Sequence, residues 1–274
     1  MTLLKDSRTS RFGRLRNHVS MLAVCAVLGA CQTTSSGSNL SDASSAAQSQ
    51  FPVTAFEGSA DDYVAQVAYW GAIHDEKPSD VDAAINYGRA LRNIGQTRKA
   101  VTILNRAVLL DSENAVALSE YGKVLVQTGR VAEGADYLSR ASIRKPNDWV
   151  ILTAEGVAFD QMGDHAVAQR KYDAALQVDP GNPSILTNKG LSFALSGDLG
   201  SAEQFLRQAV RQPQATPQMR QNLALVLGLR GNFAEARQYA AADLSAAMVD
   251  NNMAYIREMI ANESSPWSEL QEIE

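Results

Sequence analysis

The chain is poor in the residues that most often carry chemistry. Its 274 residues include two cysteines, three tryptophans, eight prolines and three histidines, and aromatic residues make up 7%. Both cysteines, Cys25 and Cys31, lie in or beside one N-terminal apolar stretch, away from any partner for a disulfide framework or a zinc half-site. The histidines are His18, His74 and His165, and none has metal-ligand spacing with another histidine or a cysteine. His74 reads as a residue near a helix end and His165 as the start of a helix, both at the surface. No GxxxxGK[ST] loop and no strand–glycine–helix fingerprint occurs. Carboxylates are scattered along candidate helix faces, and the pair Asp61-Asp62 reads as a helix N-cap. The apolar run Val19–Leu28 is about ten residues long, against the roughly 20 that a spanning helix needs. These absences predict a chain that is not an enzyme, with no cofactor, no metal and no small-molecule substrate.

What is present points to helices. Hydrophobic residues form 45% of the chain, with alanine and leucine prominent and β-branched residues not dominant, which favours closely packed helices over a sheet. The formal charge is −5, but residues 1–30 carry Lys5, Arg8, Arg11, Arg14 and Arg16 against Asp6. Without that net +4 the remainder stands at −9. A protein so acidic offers no electrostatic footprint for nucleic acid.

The basic, polar residues 1–18 followed by the run Val19–Leu28 have the layout of a secretory signal. The run closes on Leu28-Gly29-Ala30-Cys31, which resembles the bacterial lipobox. The resemblance implies that residues 1–30 are removed and that Cys31 carries a covalent lipid. Gln32 follows where an aspartate would imply inner-membrane retention, so the implied location is the outer membrane, lipid-anchored and facing the periplasm. Residues 31–60 are rich in Ser, Thr and Ala, too poor in large apolar groups to offset ordering entropy. They read as a tether, about 30 Å end to end by random-coil scaling.

From residue 81 a 34-residue period runs without a gap. Gly95, Gly129, Gly163, Gly197 and Gly231 recur at that spacing. Seven residues before each stands a small residue (Gly88, Gly122, Gly156, Gly190, Ala224), and five after each another (Ala100, Gly134, Ala168, Ala202, Ala236). Next come Leu104, Leu138, Tyr172, Leu206 and Ala240, then Ala107, Ala141, Ala175, Ala209 and, breaking the pattern, Asp243. This pattern resembles the tetratricopeptide repeat, a helix–turn–helix whose copies stack because one alone cannot bury its apolar faces. The resemblance implies an all-α, right-handed superhelical solenoid over 61–260. Its repeats are 81–114, 115–148, 149–182, 183–216 and 217–250. An N-terminal half-repeat (Asp61 to His74) and a C-terminal capping helix (Asn251 to Ile260) flank them. Residues 261–274 form an acidic tail containing Trp267.

Arrays of this family bind peptides in a groove lined by each first helix, at the second, fifth, ninth, twelfth and thirteenth residues of the repeat. Carried over by position, this predicts a basic N-terminal end with Arg89, Arg92, Asn93, Lys123 and Gln127. The C-terminal end is then apolar, with Val157, Leu191, Leu195, Leu225 and Leu229, and Gln161 between. Asp82, Ile85, Val116, Ser119, Val126, Thr153, Asp160, Thr187 and Gln221 fall on the same positions. Such a groove fits a segment acidic at one end and aliphatic at the other, and its leucines are equally open to cover by the next repeat or the tail.

The lipobox, tether, array and the closing Asn251-Asn252-Met253-Ala254-Tyr255-Ile256-Arg257 segment together resemble the TadD family of repeat lipoproteins of the Flp/Tad pilus. That resemblance implies an assembly factor or pilotin for the pilus secretin, with secretin or pilus-assembly components as partners. A pilotin of type IV pili and an envelope adaptor for a periplasmic protease or peptidoglycan hydrolase are the alternatives. Cys31→Ser is expected to abolish incorporation of labelled fatty acid and to move the protein out of the membrane fraction, read by autoradiography and fractionation.

Overall fold

The computed structural model describes residues 60–261. The signal segment, Cys31, the tether and the tail with Trp267 lie outside the described residues. Twelve α-helices and no strand occur among those described. They are α1 (Ala60–Glu76), α2 (Val81–Asn93), α3 (Thr97–Leu110), α4 (Ala115–Gln127), α5 (Val131–Arg144), α6 (Trp149–Gln161), α7 (His165–Val178), α8 (Pro183–Leu195), α9 (Leu199–Val210), α10 (Pro217–Leu229), α11 (Phe233–Ala241) and α12 (Ala246–Ala261). None is long and apolar enough to cross a membrane.

The punctuation of this series is written into single residues. The last residue of each preceding unit caps the next first helix. Asp80, Asn114, Asp148, Asn182 and Thr216 each accept a hydrogen bond from a backbone N–H of the first turn. Each such cap contributes about 1 kcal/mol. Pro183 and Pro217 add a preset φ at the first helical position, where the missing N–H costs nothing. Between the two helices of a repeat the chain reverses through a glycine in the left-handed region, from Gly95 at φ 78 to Gly197 at φ 88.

Within a repeat the helices meet at the small residue of the first. A Cβ on Gly156 would lie 2.6 Å from the Tyr172 ring, and one on Gly190 would lie 2.8 Å from Leu206. In repeat 2 both helices give way. A Cβ on Gly122 would sit 2.9 Å from the Gly134 carbonyl oxygen, and one on Gly134 would sit 2.7 Å from the Gly122 oxygen. The space so gained is filled by Leu104, Leu138, Tyr172 and Leu206, all sealed from solvent. Each second helix then packs on the first helix of the next repeat, so the core runs on as an all-α solenoid. The backbones of successive first helices also come close to one another, whereas those of successive second helices do not. The first helices therefore line the inner side of the stack.

The ends depart from the anticipated limits. α1 is longer than the 61–74 expected. His74, expected at the surface, is buried against the ring of Tyr87, centroids 5.7 Å apart, because this part of α1 faces α2. Repeat 5 ends early: α11 stops at Ala241, and α12 starts at Ala246, not Asn251. The cause is Asp243, which replaces the sealed alanine of the other repeats and turns outward to pair with Arg220 at 2.5 Å. Met253 and Ile256 of α12 are buried as expected, and Ile260 is half-buried.

Gly122→Asn and Gly129→Asn separate the two uses of glycine. The first forces a side chain into a helix contact and is expected to lower unfolding free energy by about 3 kcal/mol or more. The second, at φ 85 with nothing within 4 Å, is expected to change it by less than about 1 kcal/mol. Urea denaturation followed by circular dichroism measures both.

Candidate functional site

The anticipated groove residues resolve into a buried floor and two rows that reach the surface in part. The fifth residues of the repeats (Ile85, Ser119, Thr153, Thr187 and Gln221) are all buried and form the floor. Thr153 and Thr187 hold that position by donating to the carbonyls of Trp149 and Pro183, each at 2.7 Å. Val126, too, is buried, against Gly134. The ninth residues (Arg89, Lys123, Val157, Leu191 and Leu225) are half-buried in every repeat and make a continuous row on the inner side. Beside them the thirteenth residues Asn93, Gln127 and Gln161 are exposed and Leu195 is half-buried. Leu229, expected on the same wall, is buried at 4% exposure in the apolar cluster that includes Val249, Met253 and Ile256 of α12. It belongs to the seal between array and capping helix.

The basic end differs from expectation through one residue that positional reasoning missed. Glu120, on α4 and almost fully buried, lies among three cations. It meets Lys123 Nζ at 3.0 Å, Arg89 Nε at 3.3 Å and Arg92 Nη2 at 3.3 Å. Burial alone would push its carboxyl up, but Lys123, Arg89 and Arg92 outweigh that and hold it below the usual value. The cluster thus joins repeats 1 and 2 and keeps an excess of positive charge in a pocket-like inner surface. A cavity of about 420 Å³ opens beside it, lined by Asp82, Ile85, Asn86, Arg89, Val116 and Arg144 among others. The signal for Glu120 was available: it precedes Lys123 by three residues and follows Arg92 by 28, one repeat less six residues.

A second polar joint sits at mid-array. Asp160 accepts from Ser192 Oγ at 2.7 Å and Tyr172 Oη at 2.8 Å, and His165 Nδ1 lies 2.9 Å away. His165 is therefore half-buried and paired, not a free surface residue. Burial and the Asp160 carboxylate both push the Tyr172 hydroxyl up, so it stays a donor. A serine, a histidine and an aspartate meet here, but the serine donates to the aspartate and not to the histidine. The pair of nucleophile and base that acyl transfer requires is not formed. Among the described residues no group of three His, Cys, Asp or Glu is placed to hold a metal ion.

At the other end the apolar row continues beyond the repeats. α12 packs against α10 and α11, and its half-buried Met259, one period after Leu225, lies against the same apolar cluster as Leu225. Periodicity alone had ended the groove at repeat 5.

Residues 85–148 and 153–219 match the tetratricopeptide repeat family. The helical domain is a tetratricopeptide-repeat array. Solved structures agree on the fold. A thermophilic tetratricopeptide-repeat protein of Thermus thermophilus superposes with a TM-score of 0.58 at 21% identity, covering 65% of this chain and 99% of that one. PilW, a widely conserved type IV pilus biogenesis factor, superposes with a TM-score of 0.63 at 17% identity, covering 72% of this chain and 91% of that one. No curated protein sequence matches the chain. As a tetratricopeptide-repeat array the domain is a protein-interaction scaffold.

Glu120→Gln is expected to destabilise the array by about 1–3 kcal/mol at neutral pH, since it strands three cations of which only parts keep contact with water. The depressed carboxyl contributes stability above its unfolded value of 4.5, and that stability is lost as pH falls through its lower folded value. The gap in Tm between wild type and Glu120→Gln should therefore narrow as pH is taken from 7 to 3 in a thermal melt series.

Proposed function

We propose that the chain is a lipid-anchored envelope scaffold whose inner surface binds a segment of a pilus-assembly protein, acting as an assembly factor or pilotin for the Flp/Tad secretin. The observation that carries this reading is the polarity of the ninth-residue row. Arg89 and Lys123 lie at one end, and Val157, Leu191 and Leu225 at the other. A row of this kind takes up a chain segment lengthwise and in one direction, acidic end toward repeat 1. Supporting it are the lipobox ending at Cys31 and the tether to residue 60, which would hold the array at the membrane where a secretin assembles. The fold shared with PilW, a pilus biogenesis factor, favours a second reading, a pilotin of type IV pili.

Heat-resistant secretin multimers in outer-membrane fractions are the readout, scored by immunoblot with the wild-type chain, a deletion, Cys31→Ser, Arg89→Glu and Leu191→Asp. Loss of multimers and surface pili in all four altered strains is the expected result. Multimers that persist in the deletion, with altered envelope proteolysis or wall turnover instead, would overturn the pilus assignment in favour of an adaptor. Multimers lost in the deletion but kept in both groove variants would move the binding surface elsewhere.

A further inference from the structure

The cations of the basic end are not equally available. Glu120 engages three of them, and Lys123 and Arg92 keep only 18% and 24% of their side chains exposed, against 39% for Arg89. A carboxylate arriving from outside would therefore meet Arg89 first. Arg89 also lines the cavity of about 420 Å³, a volume in the ~300–1,000 Å³ range of ligand sites. Two further cations line it that transfer by repeat position does not reach: Arg144, the last residue of α5, and Lys145 after it. The other repeats place no basic pair there, since the equivalent residues are Leu110-Asp111, Val178-Asp179, Gln212-Pro213 and Ala246-Ala247. The one basic pair thus stands beside the first cation of the ninth-residue row.

Both guanidiniums are held in place before a ligand arrives. Arg89 Nε lies 3.3 Å from Glu120 Oε1, and Arg144 Nη1 donates to the Arg140 carbonyl oxygen at 3.0 Å. The Nε and Nη2 edge of Arg144 is occupied by the protein's own carboxylate, with Nε donating to Glu113 Oε2 at 2.8 Å. Glu113 belongs to the turn between α3 and α4, and its side chain is 72% exposed. An ion pair so exposed contributes little to stability and opens readily. Lys145 is exposed and, among the described residues, enters no ion pair. The N–H groups of Val116 and Ala117 at the start of α4 are already taken by Asn114 Oδ1, so side chains make the site. Its apolar part is buried Ile85 and half-buried Val116. The lining sets three cations against two carboxylates, Asp82 and Glu113, and Glu113 is the one that can swing away.

We propose that this cavity receives an acidic side chain of the segment bound along the inner surface, its carboxylate lying between Arg89 and Arg144 and displacing Glu113, a resident competitor. The proposal rests on the reading that the inner surface binds such a segment, and it adds Arg144, Lys145 and Glu113 to the residues that select it. A guanidinium edge pairs with a carboxylate through N–H···O bonds of fixed geometry, so Arg144 exchanges one carboxylate for another with little loss. A neutral or basic segment brings nothing to replace Glu113 and leaves it in place. The exchange therefore sharpens the preference for acidic ligands beyond what the net charge of the lining would give.

The probe is fluorescein-labelled tetraglutamate, titrated with the purified full chain in mild detergent at about 0.1 M salt and followed by fluorescence anisotropy. Glu113→Gln is expected to tighten binding about fivefold, and Arg144→Gln with Lys145→Gln to weaken it at least about tenfold. Lys145→Gln alone, at an exposed site, should weaken it about threefold, which keeps the test decisive if loss of Arg144 disturbs the fold. Two controls remove exposed charges elsewhere, Glu133→Gln on α5 and Arg170→Gln with Arg211→Gln, and should change binding less than about twofold. No binding by wild type up to about 1 mM, a loss shared by the Arg170 and Arg211 pair, or a Glu113→Gln chain no tighter than Glu133→Gln overturns the proposal. In the secretin assay, multimers lost with Leu191→Asp but kept with Arg144→Gln and Lys145→Gln overturn the cavity's role and leave the pilus reading intact. Multimers indifferent to deletion, with the tetraglutamate pattern as expected, remove the pilus reading and keep the cavity as the acidic site for another segment.

Discussion

The structure depends on how closely two helix backbones approach inside each repeat. Gly88, Gly122, Gly156 and Gly190 leave room that a single methyl group would fill, and Leu104, Leu138, Tyr172 and Leu206 occupy it. That contact fixes the angle between the two helices of a pair, and the angle fixes which side of the pair meets the next one. Because the same contact recurs every 34 residues, small rotations accumulate in one sense. First helices are drawn together on the inner side while second helices spread apart. The row of ninth residues is thus a product of glycine placement as much as of the row's own side chains.

Polar groups then mark individual joints, with different chemistry at each. At the two middle joints the residue at position 25 of one repeat meets position 7 of the next. Ser139 donates to Glu155 at 2.7 Å between repeats 2 and 3, and Lys189 pairs with Asp173 between repeats 3 and 4. Arg207 bridges Glu203 and Glu235 at the last joint, and Glu120 ties the first. Apolar packing between identical modules would tolerate slippage by a whole repeat. Unlike pairs at successive joints penalise it, since a displaced Lys189 or Glu155 would be buried without its partner.

The fold was legible in the sequence because its governing contact is written in residue size at fixed spacing, and glycine, alanine and leucine at 34-residue intervals have few other meanings. Helix limits followed from Asp80, Asn114, Asp148, Asn182 and the turn glycines. The candidate site was legible in outline only. Positional transfer found the ninth-residue row, yet it could not separate Leu225 from Leu229. Whether a first-helix residue faces the groove or the capping helix is set by α12, whose start was displaced by Asp243 breaking repeat 5. It also missed Glu120 and the partners of Asp160. Of these, Arg92 and Arg89 with Glu120 and Ser192 with Asp160 link residues 28 to 32 apart across a joint, and periodicity treats such positions as equivalent copies. His74 was misplaced for the same reason: a helix end seen in isolation is exposed, but this one lies under Tyr87.

The pitch of the inner row carries a consequence for anything lying along it. Helices packed side by side are about 8–10 Å apart, so Arg89, Lys123, Val157, Leu191 and Leu225 recur at roughly that interval. An extended strand advancing about 3.4 Å per residue would meet successive row members with side chains from alternate faces, since three residues span the interval. An α-helix advances about 10.5 Å in seven residues and returns the same face. The row is therefore commensurate with a heptad and not with a strand. Were a segment to lie along this row, a helix would match its pitch better than a strand.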